Sequence, residues 1–107
     1  MADQRFSGRT AIVTGAASGI GAAIAARFAS EGANVVIADL KVDAAQTAAG
    51  KLSGGRAIGV GCDVGDEGQA EACVRTALDR FGRIDVIVNN AGLMTFKTLD
   101  QWTGDDW

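Results

Sequence analysis

Histidine and tyrosine are absent from this 107-residue sequence, and cysteine occurs only twice. With no imidazole, and with Cys62 and Cys73 too few and too scattered, neither a zinc site nor a disulfide framework is available. Both cysteines fall at apolar positions, so they are expected to be buried, reduced thiols and not a redox pair. The missing residues also remove two side chains that commonly act as general acid or base. Charge of one sign is scarce as well, with 10 basic residues against 13 acidic ones and a net charge of −3. That excludes a nucleic-acid footprint and a polybasic membrane patch. No uninterrupted apolar run is long enough to span a bilayer. Met1 to Arg9 contain no apolar core, so no signal peptide is expected and the expected location is cytoplasmic.

What is present is an ordinary globular composition, 48% hydrophobic and 21% charged, in a length that bounds the chain to one domain. The most informative stretch is Thr14-Gly15-Ala16-Ala17-Ser18-Gly19-Ile20-Gly21. It follows the β-branched run Thr10 to Thr14 and opens a helical pattern in which Ile20, Ile24 and Phe28 recur every fourth residue. A strand, a glycine turn and a helix in that order make an anion site, because the first N–H groups of the helix lack partners at its positive end. The spacing is Gly-x-x-x-Gly-x-Gly, not the Gly-x-Gly-x-x-Gly of the common dinucleotide fingerprint. Gly15 is expected to turn the chain off the strand, Gly19 to admit a pyrophosphate, and Gly21 to let the helix lie close to the sheet.

Gly32 caps that first helix, and the continuous apolar run Ala33 to Asp39 suits a parallel strand covered on both faces. Asp39 ends it, 24 residues after Gly15, where a dinucleotide fold places an acidic residue on the adenosine ribose. A carboxylate there accepts from both ribose hydroxyls and repels a 2′-phosphate. With Ser18, and no cation, in the glycine loop, this favours NAD over NADP. A helix is expected from Asp43 to Leu52, ended by Ser53-Gly54-Gly55, and a third strand from Arg56 to Val64 in which apolar residues alternate with glycines. Asp66 and Gln69 read as a capping box, and Ala70, Cys73, Val74, Ala77, Leu78 and Phe81 then form one apolar helix face before Gly82 closes it. Ile84 to Val88 is a fourth strand, leading into Asn89-Asn90-Ala91-Gly92. Strands joined by helices, with no hairpin signal, imply an α/β fold. The expected form is a Rossmann-type parallel sheet with helices on both faces and strand order 3-2-1-4.

Together Thr14 to Gly21, Asp39, Asp63-Val64 and Asn89 to Gly92 resemble the short-chain dehydrogenase/reductase family, and the resemblance covers essentially the whole chain. It implies cofactor contacts from Gly15, Ser18, Gly19, Ile20, Gly21, Asp39, Leu40, Asp63, Val64, Asn90, Ala91 and Gly92. By that resemblance Asp63 and Val64 bracket the adenine and Asn89 braces the sheet. Asn90-Ala91-Gly92 then runs past the nicotinamide-side ribose with its backbone. Members of the family are longer. Their catalytic Asn lies on a helix that starts here at Thr103, and their Ser and Tyr-x-x-x-Lys come later. Lys41, Lys51 and Lys97 have no such setting.

The expectation is therefore the N-terminal part, residues 1–107, of a single NAD(P)-binding domain, truncated after the fourth strand, with the catalytic half, catalytic residues and any metal absent. The intact enzyme would transfer hydride between nicotinamide and a small alcohol or carbonyl substrate, as a homo-oligomer. The chain alone would be inactive, bind NAD weakly, and self-associate or order only in part, because the fourth strand presents an open apolar edge. The alternatives are a non-catalytic dinucleotide-binding module and a methyl-donor-binding glycine loop, in which Asn89 to Gly92 would have no role.

Overall fold

The computed structural model describes residues 6–17, 19–52, 56–63 and 65–90. Seven elements alternate along it: β1 (Thr10–Thr14), α1 (Gly19–Ser30), β2 (Asn34–Asp39), α2 (Val42–Gly50), β3 (Ala57–Gly61), α3 (Glu67–Phe81) and β4 (Val86–Val88). The four strands form one sheet in the order β3-β2-β1-β4, and every pairing is parallel. Parallel neighbours require a crossover connection, and helices supply it here. The expected helix starting at Thr103 lies outside the described residues.

The two-residue period of the strands sorts the core into two layers. Val13, Val35 and Ile37 point to the side covered by α1 and α2, where they meet Ala25, Ala29, Ala45 and Ala49. Ile12, Val36 and Ala38 point to the side covered by α3 and meet Cys73, Val74 and Ala77. Burial on both faces is why β2 reads as an unbroken apolar run. Each fully buried valine or isoleucine contributes about 1.5–3 kcal/mol relative to exposure. The alternation of glycine in β3 has the same origin. Ile58 and Val60 pack on the α3 side, while a Cβ at Gly59 would strike the backbone of Ala45 and Gln46 in α2. The helix lies directly on that strand, and only glycine admits it.

Several boundaries and one face differ from the sequence reading. β3 and β4 are shorter than expected, ending at Gly61 and starting at Val86, and α2 ends at Gly50. In α1 the enclosed positions are Gly21, Ala25 and Ala29. The large residues Ile24 and Phe28 are only partly covered, with Phe6 edge-on to Phe28 at 5.0 Å, and Ile20 is 74% exposed. Close helix-to-sheet contact selects the small side chains and leaves the bulky ones at the rim.

The start of α3 also departs from the capping box. Asp66 Oδ1 accepts from Gln69 N at 3.1 Å as expected. The Gln69 side chain does not return to Asp66, however, because its Oε1 accepts from Asp63 N at 2.9 Å. Gly82 ends the helix in the left-handed region with φ 79°.

Candidate functional site

The carboxyl ends of the strands bring together the residues singled out in sequence. β1 leaves the sheet at Gly15, whose φ of 61° is a left-handed turn, and Gly15 N still donates to Ala38 O at 2.8 Å. The chain turns again at Gly19, φ 65°, and α1 begins. A side chain built at Gly19 would meet no atom within 4 Å. Among the described residues, the space in front of the turn is therefore open at the helix N-terminus, where N–H groups have no partner within the helix. That combination fits an anion held by backbone.

Gly21 works differently from the expectation. A Cβ there would strike the carbonyl oxygen of Gly15 and lie 2.6 Å from Asn90 Nδ2 and 2.9 Å from Ala16 Cα. Its missing side chain lets the helix close on its own loop and on the end of β4, more than on the sheet.

Thr14 and Asn90 clasp β1 to β4 across that contact. Thr14 Oγ1 donates to Val88 O at 3.3 Å and accepts from Asn90 N at 3.0 Å. Asn90 Nδ2 donates to Gly15 O at 3.2 Å. Asn90 thus ties the start of the glycine turn to the end of β4.

Asp39 sits at the end of β2 beside the glycine turn. Its Oδ2 accepts from Ala17 N at 3.3 Å and its Oδ1 from Lys41 N at 3.2 Å. An ionised carboxylate offers about four acceptor sites, so these two bonds orient the group and leave capacity for hydroxyl donors. Asp63 lies one strand further out, since Cys62 N donates to Asp39 O at 2.7 Å. Asp63 is exposed, and its Oδ1 accepts from Gly65 N at 2.9 Å in a local turn. The sequence reading missed the Ala17 amide and the Gln69 side chain as the groups that set these carboxylates. The first carries no side-chain signal, and the second was hidden in a capping pattern.

Ile20 and Leu40 are exposed beside the same turn, at 74% and 73%. Large apolar side chains left in water at the rim of an anion site suit the flat rings of a nucleotide. Ser18, Val64, Ala91 and Gly92 lie outside the described residues. Among the described residues no cluster of His, Cys, Asp or Glu could hold a metal. No described helix is long and apolar enough to cross a membrane. A groove of about 520 Å³ runs between α1 and α2, lined by Ala22, Ala26, Asp43, Thr47 and Lys51 among others and reaching Ala17 of the glycine turn at one end.

The chain is similar to known proteins in sequence and fold. A family model described as short chain dehydrogenase matches residues 9–107. The D-threitol dehydrogenase of Mycolicibacterium smegmatis is 41% identical over 107 residues, covering 98% of this chain and 41% of that protein. The meso-2,3-butanediol dehydrogenase of Serratia marcescens is 40% identical over 103 residues, covering 96% and 41%. A 7α-hydroxysteroid dehydrogenase solved with NADH and 7-oxo glycochenodeoxycholic acid superposes with a TM-score of 0.79 at 39% identity, covering 92% of this chain and 39% of that one. The chain thus spans about two fifths of the length of the curated relatives it matches.

Proposed function

The chain belongs to the short-chain dehydrogenase family, and from that premise we propose that it is the cofactor-binding part of an NAD-dependent oxidoreductase acting on an alcohol or carbonyl substrate. The observation that carries this reading is the Asp39 carboxylate, held by the Ala17 and Lys41 amides beside the open glycine turn. When bound, the nicotinamide would supply hydride exchange at its C4 with a carbinol or carbonyl carbon. The chain's own residues bind and orient. The turn from Gly15 to Gly21, with Ser18, takes the pyrophosphate on backbone N–H groups. Asp39 accepts from the adenosine ribose hydroxyls, and its charge disfavours a 2′-phosphate. Leu40, Asp63 and Val64 surround the adenine, while Ile20 and Asn90-Ala91-Gly92 lie at the nicotinamide end.

Residues 1–107 on this reading form the N-terminal part of a single domain. The proton-transferring groups and the substrate pocket belong to a part this sequence does not contain. General acid or base groups typically contribute about 10²–10⁴-fold, so the 107-residue chain is expected to show no NAD-linked turnover with any alcohol. Turnover that follows the purified chain and vanishes in Gly19→Trp would overturn that assignment.

Cofactor choice is tested by side-by-side titration of NAD and NADP. NAD is expected to bind more tightly, and Asp39→Ala is expected to narrow the gap. Equal affinities in the unaltered protein would refute the role given to Asp39.

A further inference from the structure

Nothing in the sequence connects Cys62 with Cys73, yet the fold places both in one apolar cluster with Ile12, Val36, Val74 and Ile84. Cys62 follows the last residue of β3 and is 3% exposed, and Cys73, within α3, is 0% exposed. A shared carbonyl fixes their approach. Cys62 Sγ donates to the backbone oxygen of Gln69 at 3.6 Å, and Gln69 is one helical turn before Cys73. A helical side chain leans back over the preceding turn. The Cys73 side chain therefore leans toward the Gln69 carbonyl that the Cys62 sulfur also approaches.

We propose that Cys62 and Cys73 are an oxidation site, a thiol pair that a small peroxide closes to a reversible disulfide, pinning the Asp63 turn to α3. Two small residues filling a core need not converge on one backbone carbonyl, and these two do. The hydrogen bond from Cys73 lowers the pKa of the Cys62 thiol, outweighing burial and the nearby Asp63 and Asp66 charges. The same bond, with burial, pushes the Cys73 thiol up. Cys62, which borders the exposed residues Gly61 and Asp63, is the attacking sulfur.

In the first step the Cys62 thiolate attacks one peroxide oxygen and the O–O bond breaks. Cys62 becomes a sulfenic acid, and the other oxygen leaves as hydroxide and takes up a proton to form water. The Cys73 sulfur then attacks the sulfenic sulfur. The S–S bond forms, and the sulfenic hydroxyl leaves with the Cys73 proton as a second water. Both thiols are oxidised and the peroxide is reduced.

A bond of about 2.05 Å then joins the two sulfurs. Asp63 is the next residue, and its N–H already donates to Gln69 Oε1 in the same turn of α3. Where the functional reading above holds and Asp63 serves the adenine, the bridge gives that subsite a redox input.

The test treats the folded, reduced 107-residue chain with hydrogen peroxide, blocks remaining thiols, and maps peptides by mass spectrometry. The expected product joins the Cys62 peptide to the Cys73 peptide. Its intact mass is lower by two hydrogens, both thiols are lost together, and a dithiol reductant restores them. Amide hydrogen exchange at Asp63 is expected to slow several-fold in the bridged chain. In Cys73→Ser, Cys62 should stop at a sulfenic acid that a carbon nucleophile can trap. Should that variant not fold, the peptide map of the unaltered chain decides. Thiols that react only after unfolding, a sulfinic or sulfonic acid on one sulfur, or bridges between chains would overturn the proposal. Unchanged exchange at Asp63 in the bridged chain would overturn the pinning. None of these readouts depends on NAD binding, so failure here is distinct from failure of the functional reading.

Discussion

At the amino ends of the strands, Thr10 N donates to Asp85 Oδ2 at 2.8 Å, Asp85 N returns a bond to Thr10 O at 2.9 Å, and Arg83 grips the same carboxylate from outside. Asn34 Nδ2 reaches Thr10 Oγ1, and Arg56 Nε reaches Asn34 Oδ1 while its guanidinium lies 5.0 Å over the Phe81 ring. At the carboxyl ends β1 runs into a turn with, among the described residues, open space before Gly19, beside exposed Ile20 and Leu40 and carboxylates oriented by backbone amides alone. One end satisfies its polar groups with protein partners. The other fixes the geometry of its polar groups and leaves acceptor capacity over. Both ends carry aspartates, so residue type does not separate stability from binding. What separates them is whether the fold closes each carboxylate with a cation and a buried amide.

Substitutions at each end should therefore fail in different ways. The largest effect is expected for Gly21→Val. Overpacking typically costs about 1–3 kcal/mol, and the obstacles here include the backbone of Gly15 and Ala16, which have little room to give. Both the urea midpoint and NAD affinity should fall, the latter by at least about tenfold, the equivalent of about 1.4 kcal/mol. A variant with unaltered binding would show that the loop tolerates a looser helix.

Asp85→Ala should come next and should act on stability alone. It strips the partner from the buried Thr10 N–H, a loss of about 1–3 kcal/mol. NAD affinity of the folded chain should be unchanged, and a drop in affinity would mean the two ends are coupled. The pH dependence follows from the same group. Burial raises the Asp85 pKa, but Arg83, the Thr10 amide and Arg9 together outweigh it and hold the carboxyl below its usual value. A lowered folded pKa gives stability that is fully present above the ordinary aspartate range, about 3.9. It is lost as pH falls through the lowered value. The stability gap between the unaltered chain and Asp85→Asn should accordingly shrink in acid, and a gap that widens there would contradict the ion pairing.

The smallest of the three is Asn90→Ala. One hydrogen bond to Gly15 O is removed, typically about 0.5–1.5 kcal/mol, while Thr14 still holds the Asn90 amide. Cofactor affinity should fall proportionately more than stability, the reverse of Asp85. Equal losses in both would place Asn90 with the structural end.

Much of this contrast is legible in the sequence. The order of elements, the parallel 3-2-1-4 sheet, the glycine turn and the position of Asp39 after β2 all follow from periodicity and spacing. These are local patterns with few physical solutions. The apolar face of α3 was legible for the same reason, because a 3.6-residue period survives in sequence whatever the helix packs against. The buried side of α1 was less so, since the rule that large apolar residues go inward yields where glycine and alanine allow closer contact.

The sequence by itself determined the fold and the end of the sheet at which a ligand would sit, because strand direction and crossover handedness leave one arrangement for such a pattern. Only the tertiary structure decided which partners each polar group received. That Asn90 holds the glycine turn, that Gln69 serves Asp63 and not Asp66, and that Cys62 and Cys73 share one cluster all depend on the packing angle of α3 and the reach of β4. Those are set by the sum of many side-chain contacts. No single residue or spacing encodes them, and hydrogen bonds of about 3 Å are made or lost within shifts that a pattern of residue types cannot register.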